Sequence, residues 1–141
     1  MGQSPRAILA VDPGRDKCGI AVVSFTGDAL AREVVSAEQL AARAQELARA
    51  YDITVIVVGD RTGADAALHA LEAALPQVEA TAVDEHRSTE EARRLYFREH
   101  PPRGWRRLMP RGLQTPPHPY DDYVAVVLAQ RFLRGRGEQA G

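Results

Sequence analysis

Short apolar runs, rich in β-branched residues and bounded by turn residues, recur along the first part of the chain and predict strands. The run at 53–58 is continuously apolar, which is typical of a strand buried on both faces. Thr26, Gly27 and Asp28 predict a hairpin turn between two of the strands. The five predicted strands cover residues 8–11, 19–25, about 31–35, 53–58 and 79–83.

Apolar residues at helical spacing predict four helices between and after these strands. Ser36 with Gln39, and Ser88 with Glu91, match the capping-box pattern that begins a helix. Pro76 is expected to end the second helix, because proline lacks the backbone donor that a helix needs. The predicted helices follow Ser36 to about residue 51, then cover 66–75, 88 to about 98, and 121–133.

This order of elements predicts an α/β domain with three layers, α/β/α, around a five-stranded mixed sheet whose first three strands are antiparallel. With 141 residues, the chain is expected to form one domain, 1–141. Six of the nine prolines lie between residues 101 and 119, so this part is predicted to be a Pro/Arg-rich loop. Residues 135–141 are expected to form a frayed tail.

The formal net charge of −1 does not point to a polyanionic partner, but the distribution of charge does. Residues 93–111 contain seven arginines and one acid, Glu99. Aromatic residues such as Trp105 lie among them. This arginine belt favours nucleic-acid binding over a merely solvated surface. Its members are Arg93, Arg94, Arg98, Arg103, Arg106, Arg107 and Arg111.

Other features exclude some classes of protein. Cys18 is the only cysteine, so no disulfide can form within the chain, and a small buried apolar role is expected for it. No apolar run reaches the roughly 18 residues of a membrane span. We therefore expect a cytoplasmic protein without a membrane partner.

Acidic residues follow or precede three of the core elements. Asp12 ends the first strand, Glu85 follows the fifth, and Asp121 and Asp122 precede the apolar last helix. Ligands gather at the carboxyl ends of parallel strands, where Asp12 and Glu85 are predicted to lie. Three or four carboxylates can hold two Mg²⁺ or Mn²⁺ ions, so the pattern predicts a divalent-metal site.

Each acid also has a structural explanation. Asp12 precedes Pro13 and Gly14, which is good turn chemistry by itself. Acids before a helix, such as Glu85, interact favourably with the helix dipole. Asp121 or Asp122 can cap the last helix, and adjacent acids on a helix point in different directions. At most one of these two is therefore expected to face the site.

Four segments in this order resemble the YqgF/RuvX family, relatives of the RuvC Holliday-junction resolvase in the ribonuclease-H-like superfamily. They are the segment that begins Asp12-Pro-Gly, the Val-Gly that ends at Gly59, the Asp-Glu run that contains Glu85, and the acid Asp121 with its helix. The sequence departs from the family pattern at Asp60-Arg61-Thr62-Gly63 and at His86-Arg87.

The resemblance implies a ribonuclease-H-like fold and a nuclease that depends on Mg²⁺ or Mn²⁺ and acts in ribosomal RNA maturation or on branched DNA. Asp12, Glu85 and Asp121 would be metal ligands, with Asp122 as the alternative catalytic acid. The groups that would hold phosphates are Lys17, Arg87, Arg103, Arg106 and Arg107.

Two alternatives use the same fold. One is a nucleic-acid-binding protein without catalysis. The other is one half of an actin-like ATPase, which needs two domains where this chain has the length of one. The choice between RNA and DNA stays open, as does the oligomeric state, with a homodimer among the alternatives.

Overall fold

The computed structural model describes residues 6–61, 63–86, 88–99 and 121–140, with side chains in the last helix given for 122–135. Within these residues, five strands and four α-helices follow one another in the predicted order. The elements are β1 (Arg6–Asp12), β2 (Lys17–Ser24), β3 (Ala29–Ser36), a 3-10 turn (Ala37–Gln39), α1 (Leu40–Ala50), β4 (Asp52–Gly59), α2 (Ala64–Ala74), β5 (Glu79–Val83), α3 (Ser88–Glu99) and α4 (Asp121–Ala140).

The strands form one mixed sheet in the order β3-β2-β1-β4-β5. β1, β2 and β3 are antiparallel neighbours, and β4 and β5 run parallel to β1. The predicted five-stranded mixed sheet with an antiparallel start is therefore confirmed. The central position of β1 explains why its residues from Ala7 to Val11 are fully buried.

Alternate residues of the strands face two different helical layers. Leu9 and Val11 belong to the core that α1 and α2 cover, whereas Ile8 and Ala10 belong to the core under α4. Side chains in a strand alternate between its two faces, so one apolar run supplies both cores. The result is the predicted three-layer arrangement.

The last helix is buried on all sides in its first half, because α4 lies between the sheet and α3. Ala125 and Ala129 pack on the sheet, while Val124 and Leu128 pack against α3. A helix that is apolar all round is expected in such a central position. Seven consecutive buried residues form this stretch, 123–129.

One predicted capping box is confirmed in part and the other is wrong. The Ser36 hydroxyl accepts a hydrogen bond from the Gln39 backbone at 3.3 Å, although the turn it caps is a 3-10 turn before α1. Ser88 lies within the first turn of α3, and its buried hydroxyl has no hydrogen-bond partner among the described residues. Glu91 does not reach back to Ser88, because it pairs with Arg131 of α4 at 2.7 Å.

Two helix boundaries also differ from the prediction. α2 begins at Ala64, directly after Gly63, whose φ of 90° lies in the left-handed region that favours glycine. α4 continues to Ala140, beyond the predicted end at residue 133. The predicted loop 101–119 lies outside the described residues. Among the helices that are described, none has the length and hydropathy of a membrane span.

Candidate functional site

Four acids lie at the carboxyl ends of the parallel strands: Asp12 ends β1, Asp60 follows β4, and Asp84 and Glu85 follow β5. Because β1, β4 and β5 are parallel, these ends meet at one side of the sheet. We call this region the acidic end, defined by Asp12, Asp60, Asp84 and Glu85. It is the place where a doubly wound sheet gathers its ligands.

The register of the sheet fixes the position of Asp12. Val11 pairs with Val58 of β4, so Asp12 and Gly59 are the next positions along two neighbouring strands. Adjacent strands are about 4.8 Å apart, so the two backbones are close. Strand alternation places Asp12 on the same face as Ala10, which is the face that α4 covers.

Glu85 is held from several directions and is only 2% exposed. Its Oε2 accepts a hydrogen bond from the Arg61 backbone N–H at 3.1 Å, and its own N–H donates to Asp60 Oδ1 at 3.2 Å. Arg61 Nη2 also donates to the Glu85 carbonyl at 3.5 Å. The turn after β4 therefore fixes both the backbone and the carboxylate of Glu85.

Gly59 makes this arrangement possible because it has no side chain. A Cβ atom built at Gly59 would overlap the carboxyl carbon of Glu85. The carboxylate of Glu85 thus lies against the last residue of β4, at the position next to Asp12. The sequence pattern identified the Val-Gly that ends at Gly59 but gave it no role. The available signal was a glycine at the end of a buried strand, where a close approach is expected.

The carboxylate of Glu85 has an environment that suits a cation. Among the described side chains, no Lys, Arg or His forms an ion pair with it. A buried carboxylate without a charged partner is costly, and a bound cation would offset that cost. Oxygen donors such as Asp12 and Glu85 suit Mg²⁺ and Mn²⁺. Within the described residues, no three acids, histidines or cysteines form a metal-binding group.

Two tight turns surround the acidic end. A Cβ at Gly14 would lie 2.5 Å from the Lys17 carbonyl, so the β1–β2 turn requires a glycine there. Gly63 lies against this same turn, since a Cβ at Gly63 would be 3.7 Å from Pro13 Cβ. Lys17 begins β2 at this same end of the sheet and is exposed.

Asp122 lies in a different environment. Its Oδ2 is 3.9 Å from Arg32 Nη1, and its Oδ1 accepts a hydrogen bond from the Tyr123 backbone at 3.0 Å. The Arg32 guanidinium lies 4.1 Å from the centroid of the Tyr123 ring and 3.9 Å from Glu99 Oε2. We call these four residues, Arg32, Glu99, Asp122 and Tyr123, the Arg32 cluster. Asp122 is therefore engaged by a cation of β3.

The Tyr123 hydroxyl adds to this cluster by donating to Glu99 Oε2 at 2.9 Å. Burial raises the pKa of Tyr123 above its ordinary value of 10.0, and the hydrogen bond to Glu99 raises it further, against the lowering effect of Arg32. The neutral phenol is thus the form that the folded protein favours. The cluster joins the end of α3 to the start of α4.

Several predicted site residues lie outside the description. They are Arg87, Arg103, Arg106 and Arg107, together with the side chain of Asp121. Of the remaining arginine belt, Arg93 is half-buried on α3, whereas Arg94 and Arg98 are exposed. The structure brings Asp12 and Glu85 to the same end of the sheet and places Asp122 beside Arg32.

The element order, the mixed sheet and the three layers define a ribonuclease-H-like α/β fold. Two solved structures share it over nearly their whole length. Thermus thermophilus RuvC in complex with a Holliday-junction substrate is 18% identical, with a TM-score of 0.64 over 94% of this chain and 96% of that one. A second T. thermophilus RuvC structure is also 18% identical, with a TM-score of 0.56 over 93% and 96%.

No protein-family model matches the sequence, and no curated protein matches it. At this level of identity the structural likeness shows the fold. The RuvC-like, ribonuclease-H-like fold implied by the sequence motifs is therefore confirmed.

Proposed function

We propose that this protein is a divalent-metal-dependent nuclease that hydrolyses phosphodiester bonds of nucleic acid. The observation that carries the proposal is the Glu85 carboxylate, which is buried against Gly59 next to the position of Asp12 and has no ion-pair partner among the described side chains. A fold gains little stability from such a carboxylate alone. A cation bound at this site would offset the cost of burying the carboxylate.

Asp12, Glu85 and Asp121 would hold Mg²⁺ or Mn²⁺. When bound, such an ion activates water and stabilises the leaving oxygen in phosphodiester hydrolysis. The protein itself contributes the positions of the carboxylates: the Asp60–Arg61 turn fixes Glu85, and Gly59 leaves room for it. Lys17 is exposed on the same side of the sheet and would bind a phosphate of the substrate.

Nucleic acid is the proposed substrate class. One RuvC structure with this fold contains a Holliday junction, and the arginine belt supplies the charge that a phosphate backbone requires. The two substrates that we propose are branched DNA, including Holliday junctions, and ribosomal RNA precursors. The first is supported by the RuvC likeness and the second by the motifs that resemble the YqgF/RuvX family.

A cleavage panel tests the proposal. Structured RNA, single-stranded DNA and four-way junctions are incubated with the protein in Mg²⁺ or Mn²⁺, and with EDTA as the metal-free control. We expect cleavage of at least one substrate with either metal and none with EDTA. Asp12→Asn and Glu85→Gln should abolish that cleavage, whereas Glu72→Gln, an exposed acid of α2, should leave it unchanged. Full activity of Asp12→Asn in Mn²⁺ would disprove the metal site.

Metal binding gives a second readout that does not depend on activity. Calorimetry should detect Mn²⁺ binding to the parent and to Glu72→Gln, and weaker binding to Asp12→Asn and Glu85→Gln. In the absence of metal, Asp12→Asn should fold normally and should be at least as stable as the parent, because repulsion between like charges at the acidic end falls.

The arginine belt is tested separately. Changing Arg103, Arg106 and Arg107 together to Ala should weaken binding to all nucleic-acid sequences and flatten its dependence on salt, because fewer counterions are released. A loop rich in arginine and proline offers charge and stacking without a rigid helix to read a groove, so sequence preference should not change. An unchanged salt slope would remove these three residues from the substrate path.

The second candidate is a nucleic-acid-binding protein without catalysis. The contact of Asp122 with Arg32 favours it, because one of the two acids at the start of α4 already has a cationic partner. Tight binding in the panel together with no cleavage in any metal would select this function.

A further inference from the structure

A basic groove runs between α3 and α4 and lies outside the acidic end. It has a volume of about 420 Å³ and is lined by the arginines Arg94, Arg98 and Arg134 together with Leu95 and Gln130. Arg94 and Arg98 are separated by one helical turn and are both exposed. Three guanidinium groups therefore border one groove.

Among the described residues that line the groove, one acid does not cancel the charge of three arginines. Glu91 lines the groove at the first turn of α3, and its carboxylate pairs with Arg131 at 2.7 Å and with Arg134 at 3.6 Å. Within the described residues, Arg94 and Arg98 form no ion pair. Exposed guanidinium groups in this arrangement suit phosphate oxygens, which they can bind in a bidentate manner.

The groove is connected to the acidic end through Arg131. Its Nη2 donates to Glu91 in the groove, and its Nη1 donates at 2.9 Å to the carbonyl of Asp84, the residue before Glu85. A polymer that lies in the groove would therefore reach the loop that carries Glu85. A small anion would gain nothing from this continuity.

An aromatic ring lies at the other end. A second depression, of about 400 Å³, shares Gln130 and Arg134 with the groove and is bordered by Phe25 and Thr26 of the β2–β3 turn. Gln130 Nε2 donates to the Gly27 carbonyl at 3.3 Å, which fixes α4 to this turn. Phe25 is half-buried and already carries the Arg6 guanidinium 5.6 Å from its ring centroid. Charged walls followed by an aromatic face are typical of sites that bind single strands with little sequence preference.

We propose that the α3–α4 groove binds a single-stranded segment of the nucleic-acid substrate, with Arg94, Arg98 and Arg134 on its phosphates and Phe25 stacked on a base. This inference rests on the proposed function for the identity of the partner, but it concerns binding and not cleavage. The groove would hold the strand that leads away from the acidic end.

The test measures binding in EDTA, so that cleavage plays no part. Fluorescent single-stranded RNA, single-stranded DNA and a blunt DNA duplex are titrated over a salt series with the parent and with Arg94→Gln/Arg98→Gln. Glutamine keeps most of the side-chain stem and removes the charge. For single strands the slope of log K against log salt should fall by about 1.4, because each phosphate contact contributes about 0.7. Arg49→Gln on α1, across the sheet, is the matched control and should keep the parent slope.

Phe25→Leu separates stacking from charge. This change keeps an apolar side chain against the core and removes the aromatic face. Single-strand binding should weaken by roughly fivefold or more, with the salt slope unchanged. The ratio between RNA and DNA affinity in the parent shows which strand the groove prefers, since both carry the same phosphates.

The outcomes separate the two proposals. The groove proposal is supported if the slope of log K against log salt falls in Arg94→Gln/Arg98→Gln and stays at the parent value in Arg49→Gln. This holds even if no substrate is ever cleaved. An unchanged slope in the double variant overturns the groove, even if the parent cleaves efficiently. If the double variant loses as much salt dependence on the duplex as on single strands, or if the parent binds neither single-stranded probe, the groove proposal is also overturned.

Discussion

The acidic end and the Arg32 cluster both contain carboxylates. The first lies at the ends of strands and the second at the start of α4, and they differ in what neighbours the carboxylates. In the Arg32 cluster, Asp122 and Glu99 share one guanidinium, each at 3.9 Å. At the acidic end, Glu85 is more deeply buried, and its side chain accepts a hydrogen bond from the Arg61 backbone N–H in the turn after β4.

The difference indicates which acids serve the fold. A carboxylate that is paired with arginine and lies beside an aromatic ring joins elements and has its charge balanced within the protein. A carboxylate that is fixed by a neutral backbone donor keeps its charge available for a ligand. By this comparison we infer that Asp122 serves the fold, and we propose Glu85, together with Asp12 at the same end of the sheet, as the functional acids.

The largest expected effect separates the two acids that begin α4. Asp121→Asn should reduce nuclease activity by about 100-fold or more, because loss of a residue that only orients a metal ligand already costs 10- to 100-fold. Asp122→Asn should leave activity within a few-fold of the parent and lower the free energy of unfolding by about 1 kcal/mol, since it loses the Arg32 pair. Activity assays and urea denaturation of both variants measure this.

The converse result would reverse the comparison. If Asp122→Asn lost activity at unchanged stability while Asp121→Asn behaved like the parent, the Arg32 cluster would belong to the catalytic site. Asp65→Asn, an exposed acid in the first turn of α2, controls for a general effect of charge.

A second prediction concerns the space that Gly59 leaves for Glu85. Gly59→Ala should lower the free energy of unfolding by about 1–3 kcal/mol, since the new methyl group overlaps the Glu85 carboxyl group. It should also reduce Mn²⁺ affinity as the carboxylate moves. Gly135→Ala is the control, because a Cβ there meets nothing within 4 Å and a helical glycine costs about 0.5–1 kcal/mol relative to alanine. Equal stability of the two variants would contradict the contact.

A third prediction tests the other side of the comparison. Arg32→Met keeps the stem of the side chain but removes the cation over Tyr123 and beside Asp122. Because the side chain is 31% exposed, solvent screens these interactions, and we expect a loss of about 1 kcal/mol in unfolding free energy. Arg49→Met, an exposed arginine of α1, should change stability by less than about 0.5 kcal/mol. Identical denaturation curves for the two variants would show that the contacts of Arg32 do not stabilise the fold.

The smallest effect is a pH dependence from Tyr123. Its pKa is raised in the folded protein, so the stabilisation it provides is complete below about pH 10 and is lost as the pH rises through the raised value. Tyr123→Phe should therefore be less stable than the parent by about 1 kcal/mol at pH 7, where it lacks the bond to Glu99. The deficit should stay constant up to about pH 10 and shrink as the pH rises above it. A stability deficit that stays constant as the pH rises above this value would show that the folded protein does not raise the pKa of Tyr123.

Local patterns were sufficient for the sheet and for the location of the acids. The apolar runs predicted all five strands, because alternation and turn residues act over a few neighbours. They also predicted that Asp12 and Glu85 end parallel strands, which places both at one end of the sheet. The start of α3 was predicted for the wrong reason. Ser88 and Glu91 fit a capping box, but in the fold the Ser88 hydroxyl is buried and Glu91 pairs with Arg131.

The sequence by itself determined the order of the elements, the end of the sheet that carries the acids and the concentration of arginine. Only the tertiary structure decided which partner each charge has. Glu85 accepts from Arg61, 24 residues away, and Glu91 pairs with Arg131, 40 residues away. Such contacts depend on how the layers pack, and the spacing of residues along one element carries no information about them. That packing places Glu85 against Gly59 and Asp122 beside Arg32. The candidate site rests on this difference between the two acids.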